Sequence, residues 1–261
     1  KLMKTLINWK TFFVLWVAAI LSTTAVLPYV LELQAKLIAQ LPISLPTLIV
    51  LQIIQSGLLF AILIFTGLIL MRRIGLSTPL LDSITNGEFA SDTLRSILPI
   101  SIGLGFLASI LIVGLDALFQ PLLINELGDK ANALMLTTQP AAWKGFLASF
   151  YGGISEEILL RLFVMSLLAW LGSFISKTSD GKPTAIIFWT ANILAAILFG
   201  LGHLPTVSAL IPLTAFVVIR TVTLNAVGGI IFGWLYQTRG LESAMIAHFS
   251  ADIVLHVIFA I

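Results

Sequence analysis

TLIVLQIIQSGLLFAILIFTGLILM, residues 47–71, carries no charged side chain. At about 1.5 Å of rise per residue, a helix over this stretch exceeds the roughly 30 Å hydrocarbon core of a bilayer. In lipid the backbone N–H and C=O groups find no water, so the segment must satisfy them internally, as a helix does. The alternating pattern of a closed barrel is absent. The same reading extends outward to Thr11–Leu31 before it and to Arg95–Phe119, Ala142–Phe174, Pro183–Leu201, Pro205–Ile219, Val222–Gln237 and Ser243–Ile261 after it. The expected fold class is therefore all-α, a polytopic membrane helical bundle of about eight transmembrane helices, forming a single membrane domain over residues 1–261.

Composition agrees. Of 261 residues, 59% are apolar and 10% charged, with a mean hydropathy of +1.08. Soluble domains carry about 25% charged residues, so a soluble globular enzyme, a disordered chain and a fibrous repeat are all excluded. The net charge is +2. No basic run exceeds Arg72-Arg73 and no basic stripe is interleaved with aromatics, which excludes nucleic acid as a partner and leaves membrane lipids. There are no cysteines, hence no disulfide, thiolate metal site or cysteine nucleophile. The first apolar run is too long for a signal-peptide core and lacks a small-x-small cleavage site, so it reads as an uncleaved span. The sixth and seventh stretches are short and contain Pro212, Gly228 and Gly229, as buried, broken or re-entrant segments do. Pro205 and Gly240 mark stops. Residues 76–92 read as a cytosolic loop, 120–140 as a weakly amphipathic interfacial segment and 176–183 as a turn.

Lysine and arginine set the orientation. With the N-terminus inside, Lys1, Lys4, Lys10, Arg72, Arg73, Arg95, Lys177, Lys182 and Arg220 fall on that side, and Lys36, Lys130, Lys144 and Arg239 on the other, nine against four. The expectation is a multi-pass integral membrane protein with both termini cytoplasmic.

In such a chain the informative residues are the ionisable ones inside spans, each costing roughly 2.5–3.5 kcal/mol at the bilayer centre. The run Gly152-Gly153-Ile154-Ser155-Glu156-Glu157-Ile158-Leu159-Leu160-Arg161 places three charges within apolar sequence. Glu157 and Arg161 are four apart, share a helix face and can pair. Glu156 is rotated by about 100° and is left for chemistry, as a desolvated general base. An ion-pair knot that only holds helices together is the competing reading. The fifth span ends Phe199-Gly200-Leu201-Gly202-His203, where His203 reads either as a functional group or as a satisfied interfacial histidine, and Phe199 as core packing. The eighth span carries His248 and Asp252 on one face. Asp252 can accept an imidazole N–H and fix the tautomer, and Ser243 fits as the helix N-cap. His256 continues the stripe toward the far end, away from the others, and reads as structural. Glu156, His203 and His248 can share one depth in the outer half of the bilayer.

These residues resemble the motifs of the CPBP family, the CAAX proteases and bacteriocin-processing proteins also called the Abi family. Its EExxxR, FxxxH and HxxxN or HxxxD motifs read here as Glu156-Glu157-x-x-x-Arg161, Phe199-x-x-x-His203 and His248-x-x-x-Asp252, in order. The resemblance covers the C-terminal half, so residues 142–261 correspond to the catalytic core and 1–141 to N-terminal spans. It implies an intramembrane endopeptidase, with Glu156 and His203 on the attacking water, His248 and Asp252 stabilising the oxyanion, and Glu157 and Arg161 supporting the first motif. The prenyl-protease branch has Asn where this chain has Asp252. An ionised Asp cannot donate to an oxyanion and would instead orient His248. The substrate, a hydrophobic or lipidated peptide or protein, stays open on that account, as does membership of a larger membrane complex.

No Ser or Thr stands in a nucleophile motif and Cys is absent, which points to direct attack by water without cofactor. A zinc ion on Glu156, His203 and His248 is the close alternative. Metal-free chemistry is preferred because no helix presents a paired His-x-x-x-His set. A non-proteolytic assembly factor or scaffold binding lipidated or hydrophobic clients is the alternative of another class. A proton-coupled transporter would call for inverted repeats, which the sequence lacks.

Overall fold

The computed structural model describes residues 7–128 and 140–259. Among them the regular structure is helical, apart from one isolated β-bridge between Lys177 and Pro183. The elements are α1 (Trp9–Ala25), α2 (Leu27–Leu33), α3 (Ala35–Ile38), α4 (Leu45–Arg73), α5 (Pro79–Asn86), α6 (Ser91–Leu127), α7 (Ala142–Phe150), α8 (Ser166–Gly172), α9 (Ala185–Gly202), α10 (Leu204–Ser208), α11 (Ala215–Arg239) and α12 (Leu241–Ile253). Two π-helical segments, Tyr151–Glu156 and Ile158–Met165, join α7 to α8 as one winding rod, and a third, Val254–Ile258, extends α12.

Helix starts follow local chemistry. Asn8 caps α1 by accepting from the amides of Lys10 and Thr11. Ser44 caps α4, with Pro46 in its first turn, where the missing N–H is no loss. Thr214 caps α11 through the amide of Val217. Ser243 is not the cap of the last span: α12 begins at Leu241, and buried Ser243 lies 2.6 Å from Ser101 of α6.

Six helical runs among the described residues are long and apolar enough to cross a membrane: Trp9–Leu33, Leu45–Arg73, Ser91–Leu127, Ala185–Ser208, Ala215–Arg239 and Leu241–Ile258. The rod from Ala142 to Gly172, which holds the charged motif, runs among them. The expected sixth and seventh spans are not two helices. Pro205 starts the short α10, Pro212 lies in the bend after it, and α11 runs unbroken through Val222, Gly228 and Gly229. Glycines there serve close approach rather than a break.

That merger moves the ends of the chain. At one end of the bundle Asn8 donates to Thr85 at 2.8 Å, Arg72 pairs with Asp82, and the Leu81 amide donates to Glu242 at 2.8 Å. Gly240, at φ 95°, turns the chain there against Pro79, a backbone conformation that suits glycine. At the other end Lys144 pairs with Glu32, Arg220 with Asp116, and the backbone of His256 lies on Gly145. The N-terminal end of α1 and the C-terminal end of the last span therefore lie at opposite ends of the bundle, so the expectation of two termini on one side fails. Arg239 lies at the Arg72 end and Arg220 at the other, the reverse of the expected sides. The interfacial segment expected over 120–140 is helical as far as Leu127, and residues 129–139 lie outside the described part.

Spans are joined by small residues and hydroxyls, as suits an apolar solvent in which greasy contacts between helices give no advantage over lipid. Ser22 meets Ser155 at 2.7 Å, Ser166 meets Tyr236 at 2.7 Å, Trp16 donates to the Gly57 carbonyl at 2.7 Å, and Asn192 donates to the Ile230 carbonyl at 3.0 Å. Gly105 of α6 lies against the Ala247 carbonyl of α12, and a Cβ there would also stand 2.8 Å from the Ser250 Cβ; around Gly103 there is open space. Gly105→Leu is expected to cost about 1–3 kcal/mol through overpacking, seen as a lowered unfolding midpoint in detergent, while Gly103→Leu leaves the midpoint in place. Equal shifts would contradict this packing.

Candidate active site

The charged motif lies where the rod departs from α-helical winding. π-Helical turns are rare and concentrate at functional positions. The widening over Tyr151–Met165 brings Glu156 and Glu157 toward α12, which Gly152 and Gly153 allow to approach closely. A Cβ on Gly152 would run into the Asp252 carboxylate and stand 3.1 Å from His248 Nε2, and one on Gly153 would be 3.0 Å from the Met245 carbonyl.

His248 is the hub. Its Nδ1 is 2.8 Å from Glu157 Oε1. Its Nε2 is 3.7 Å from Glu156 Oε2 and 3.7 Å from Asp252 Oδ1. Glu157 also faces Arg161, whose Nε is 3.3 Å from Oε2, and both side chains are fully buried. The Arg161 guanidinium lies 5.8 Å from the centre of the Phe199 ring, within cation–π range. Phe199 touches both imidazoles edge-on, with centroids 4.7 Å from His203 and 5.5 Å from His248. Phe232 stacks on His248 at 4.6 Å. His203 Nδ1 lies 2.9 Å from the Phe199 carbonyl, which leaves Nε2 as its outward nitrogen.

The expected residues thus come together around one imidazole, with three differences. First, Asp252 does not orient His248: the buried Glu157 takes Nδ1, and Asp252 stands beside Nε2, too far for a direct hydrogen bond. Sequence spacing sees only contacts within a helix, and this partner comes from another. Second, His256 is not remote. Its Nε2 lies 3.9 Å from Asp252 Oδ1, and its ring meets Tyr29 of α2 edge-on at 5.8 Å. Third, Phe199 is more than packing, since its ring meets both histidines edge-on and has the Arg161 guanidinium over it. Phe232 went unnoticed because nothing in the apolar sequence of α11 marks which of its faces meets an imidazole.

The zinc alternative can be tested on this arrangement. Among the described residues no three His, Asp or Glu side chains stand so as to hold one ion. Nδ1 of His248 is engaged by Glu157, which leaves only Nε2 for a ligand. Among the described residues the donor set does not fit a shared metal.

Fold and cluster together define a class: a polytopic helical membrane protein with an imidazole–carboxylate centre buried between its spans. The comparison with protein families is more particular. Residues 138–254 match the family described as Rce1-like, type II CAAX prenyl endopeptidase Rce1-like. That segment contains all three motifs, and its likeness to the CAAX protease family supports an intramembrane protease. The chain matches no curated protein and no solved structure.

Removing one partner of a buried pair leaves an uncompensated charge, at about 3–5 kcal/mol. Arg161→Met is therefore expected to lower the unfolding midpoint in detergent more than the double variant Glu157→Gln/Arg161→Met does. A double variant at least as unstable as the single one would show that the pair is not balancing charge.

Proposed function

We propose that the protein hydrolyses a peptide bond within the membrane by direct attack of water, on a hydrophobic or prenylated peptide substrate. The observation that carries this reading is the imidazole of His248, fixed on one nitrogen by Glu157 and presenting the other to Glu156 and Asp252, inside the segment that matches an endopeptidase family.

Glu156 is the general base. Its side chain keeps 20% exposure, while Glu157 has none, so it is the carboxylate of the pair that water can reach. It takes a proton from water as the oxygen attacks the carbonyl carbon, and returns that proton to the amine nitrogen as the C–N bond breaks. His203 positions the water through its outward nitrogen. His248, with Nδ1–H donating to Glu157, donates from Nε2 as an imidazolium to the tetrahedral oxyanion. Oxyanion donors of this kind contribute about 3–4 kcal/mol each. Arg161 holds Glu157 in place, and Asp252 faces the Nε2 side and balances the ring's charge. The lysine and arginine bias supports placing the Arg72 end of the bundle in the cytoplasm.

The test compares membrane proteomes from cells carrying wild type, Glu156→Gln and His203→Ala. A peptide terminus made by wild type is expected to fall by at least about 100-fold with Glu156→Gln, the range for loss of a general base, and to fall with His203→Ala. Wild-type levels in both variants, with a client complex retained, would overturn the proteolytic reading in favour of a scaffold.

A further inference from the structure

We propose that Asn225 is a substrate-binding residue of this site, its carboxamide holding the backbone of an extended apolar peptide beside the scissile bond. The inference rests on the proteolytic reading above.

The argument starts from α11. Phe232 of that helix stacks on His248, and a Cβ on Gly229 would lie 3.6 Å from Phe199. These two contacts fix which face of α11 looks into the site. Asn225 is seven residues before Phe232 and four before Gly229, so it falls within about 20° and 40° of them on the helix surface. Depth is set by antiparallel packing against α9, where Gly233 meets Asn192, Gly229 meets Ala196 and Gly200 meets Val222. Asn225 therefore lies level with the turn of α9 that runs from Phe199 to His203, on the His203 side of the stacked Phe232–His248 pair.

An amide in a membrane span is ordinarily explained as glue between helices. Asn192 is that case, since it donates across to the Ile230 carbonyl. Asn225 is different. Its one hydrogen bond among the described residues is to the Thr221 carbonyl of its own helix, at 2.8 Å, and it is only partly buried. That bond steadies the side chain and leaves a second N–H donor and the carbonyl oxygen. A peptide drawn into an apolar cavity must have its own N–H and C=O groups satisfied. A neutral group with both a donor and an acceptor meets that need without adding charge to a site that already holds three carboxylates. The chemistry recognised is that of an uncharged peptide backbone in extended form.

The probe is a fluorescence-quenched peptide with a prenylated cysteine followed by three apolar residues, given to the purified protein in nanodiscs. Wild type, Glu156→Gln, Asn225→Leu and Asn225→Thr are compared for KM, kcat and unfolding midpoint. The expected result for both Asn225 variants is a KM raised about 3- to 10-fold, the scale of one lost hydrogen bond, with kcat nearly unchanged. An unchanged KM in both, a fall in kcat alone, or loss of fold in both would overturn the inference while wild type still cleaves and Glu156→Gln does not. Should wild type be as inert as Glu156→Gln, the proteolytic reading itself fails and takes this inference with it.

Discussion

A carboxylate with no exposure to solvent or lipid, Glu157, holds the centre of this protein together. It faces the guanidinium of Arg161 with one oxygen and receives the Nδ1 proton of His248 with the other. A lone ion at that depth would cost far more than the helices around it could offset. Paired on both sides, it ties the π-wound rod to α12 and leaves His248 one orientation. The glycine pair at 152 and 153, the stacked Phe232 and the edge-on Phe199 all make sense as surfaces shaped to that ring.

The consequence is a division of labour between adjacent glutamates. The winding of the rod turns Glu157 inward to an arginine and a histidine, and Glu156 outward to where water can come. Glu157 is fully buried, and Glu156 keeps 20% exposure. A second, looser layer surrounds them: Asp252 and His256 continue along α12 toward Tyr29 and the end of the bundle where Lys144 meets Glu32.

Much of this was legible in the residues alone. The length of apolar runs such as 47–71 follows from bilayer thickness, and three charges in greasy sequence can only mark a buried centre. The motif residues were legible as a set because their types are expensive in lipid. The failures came where tertiary contact outweighs local pattern. Pro212 and the Gly228-Gly229 pair look like breaks in sequence, but α11 starts after the proline and uses its glycines to close on α9. Asp252 is four residues from His248 and so looks like its partner, but Glu157 arrives from another helix at shorter range. Ser243 has the chemistry of a cap and is used instead between α6 and α12. Asn225 carries no local signal, and its meaning comes only from the face of α11 that two neighbours define.

The central claim is that this cluster directs water itself, and not a side-chain nucleophile, onto a peptide carbonyl. Single-turnover cleavage of an apolar peptide by the purified protein in ¹⁸O-labelled water, with hydroxylamine present as a trap, measures this most directly. The account predicts one ¹⁸O in the new carboxyl terminus of each product and no hydroxamate. Accumulation of hydroxamate would reveal an acyl-enzyme and contradict it, and so would an intact peptide.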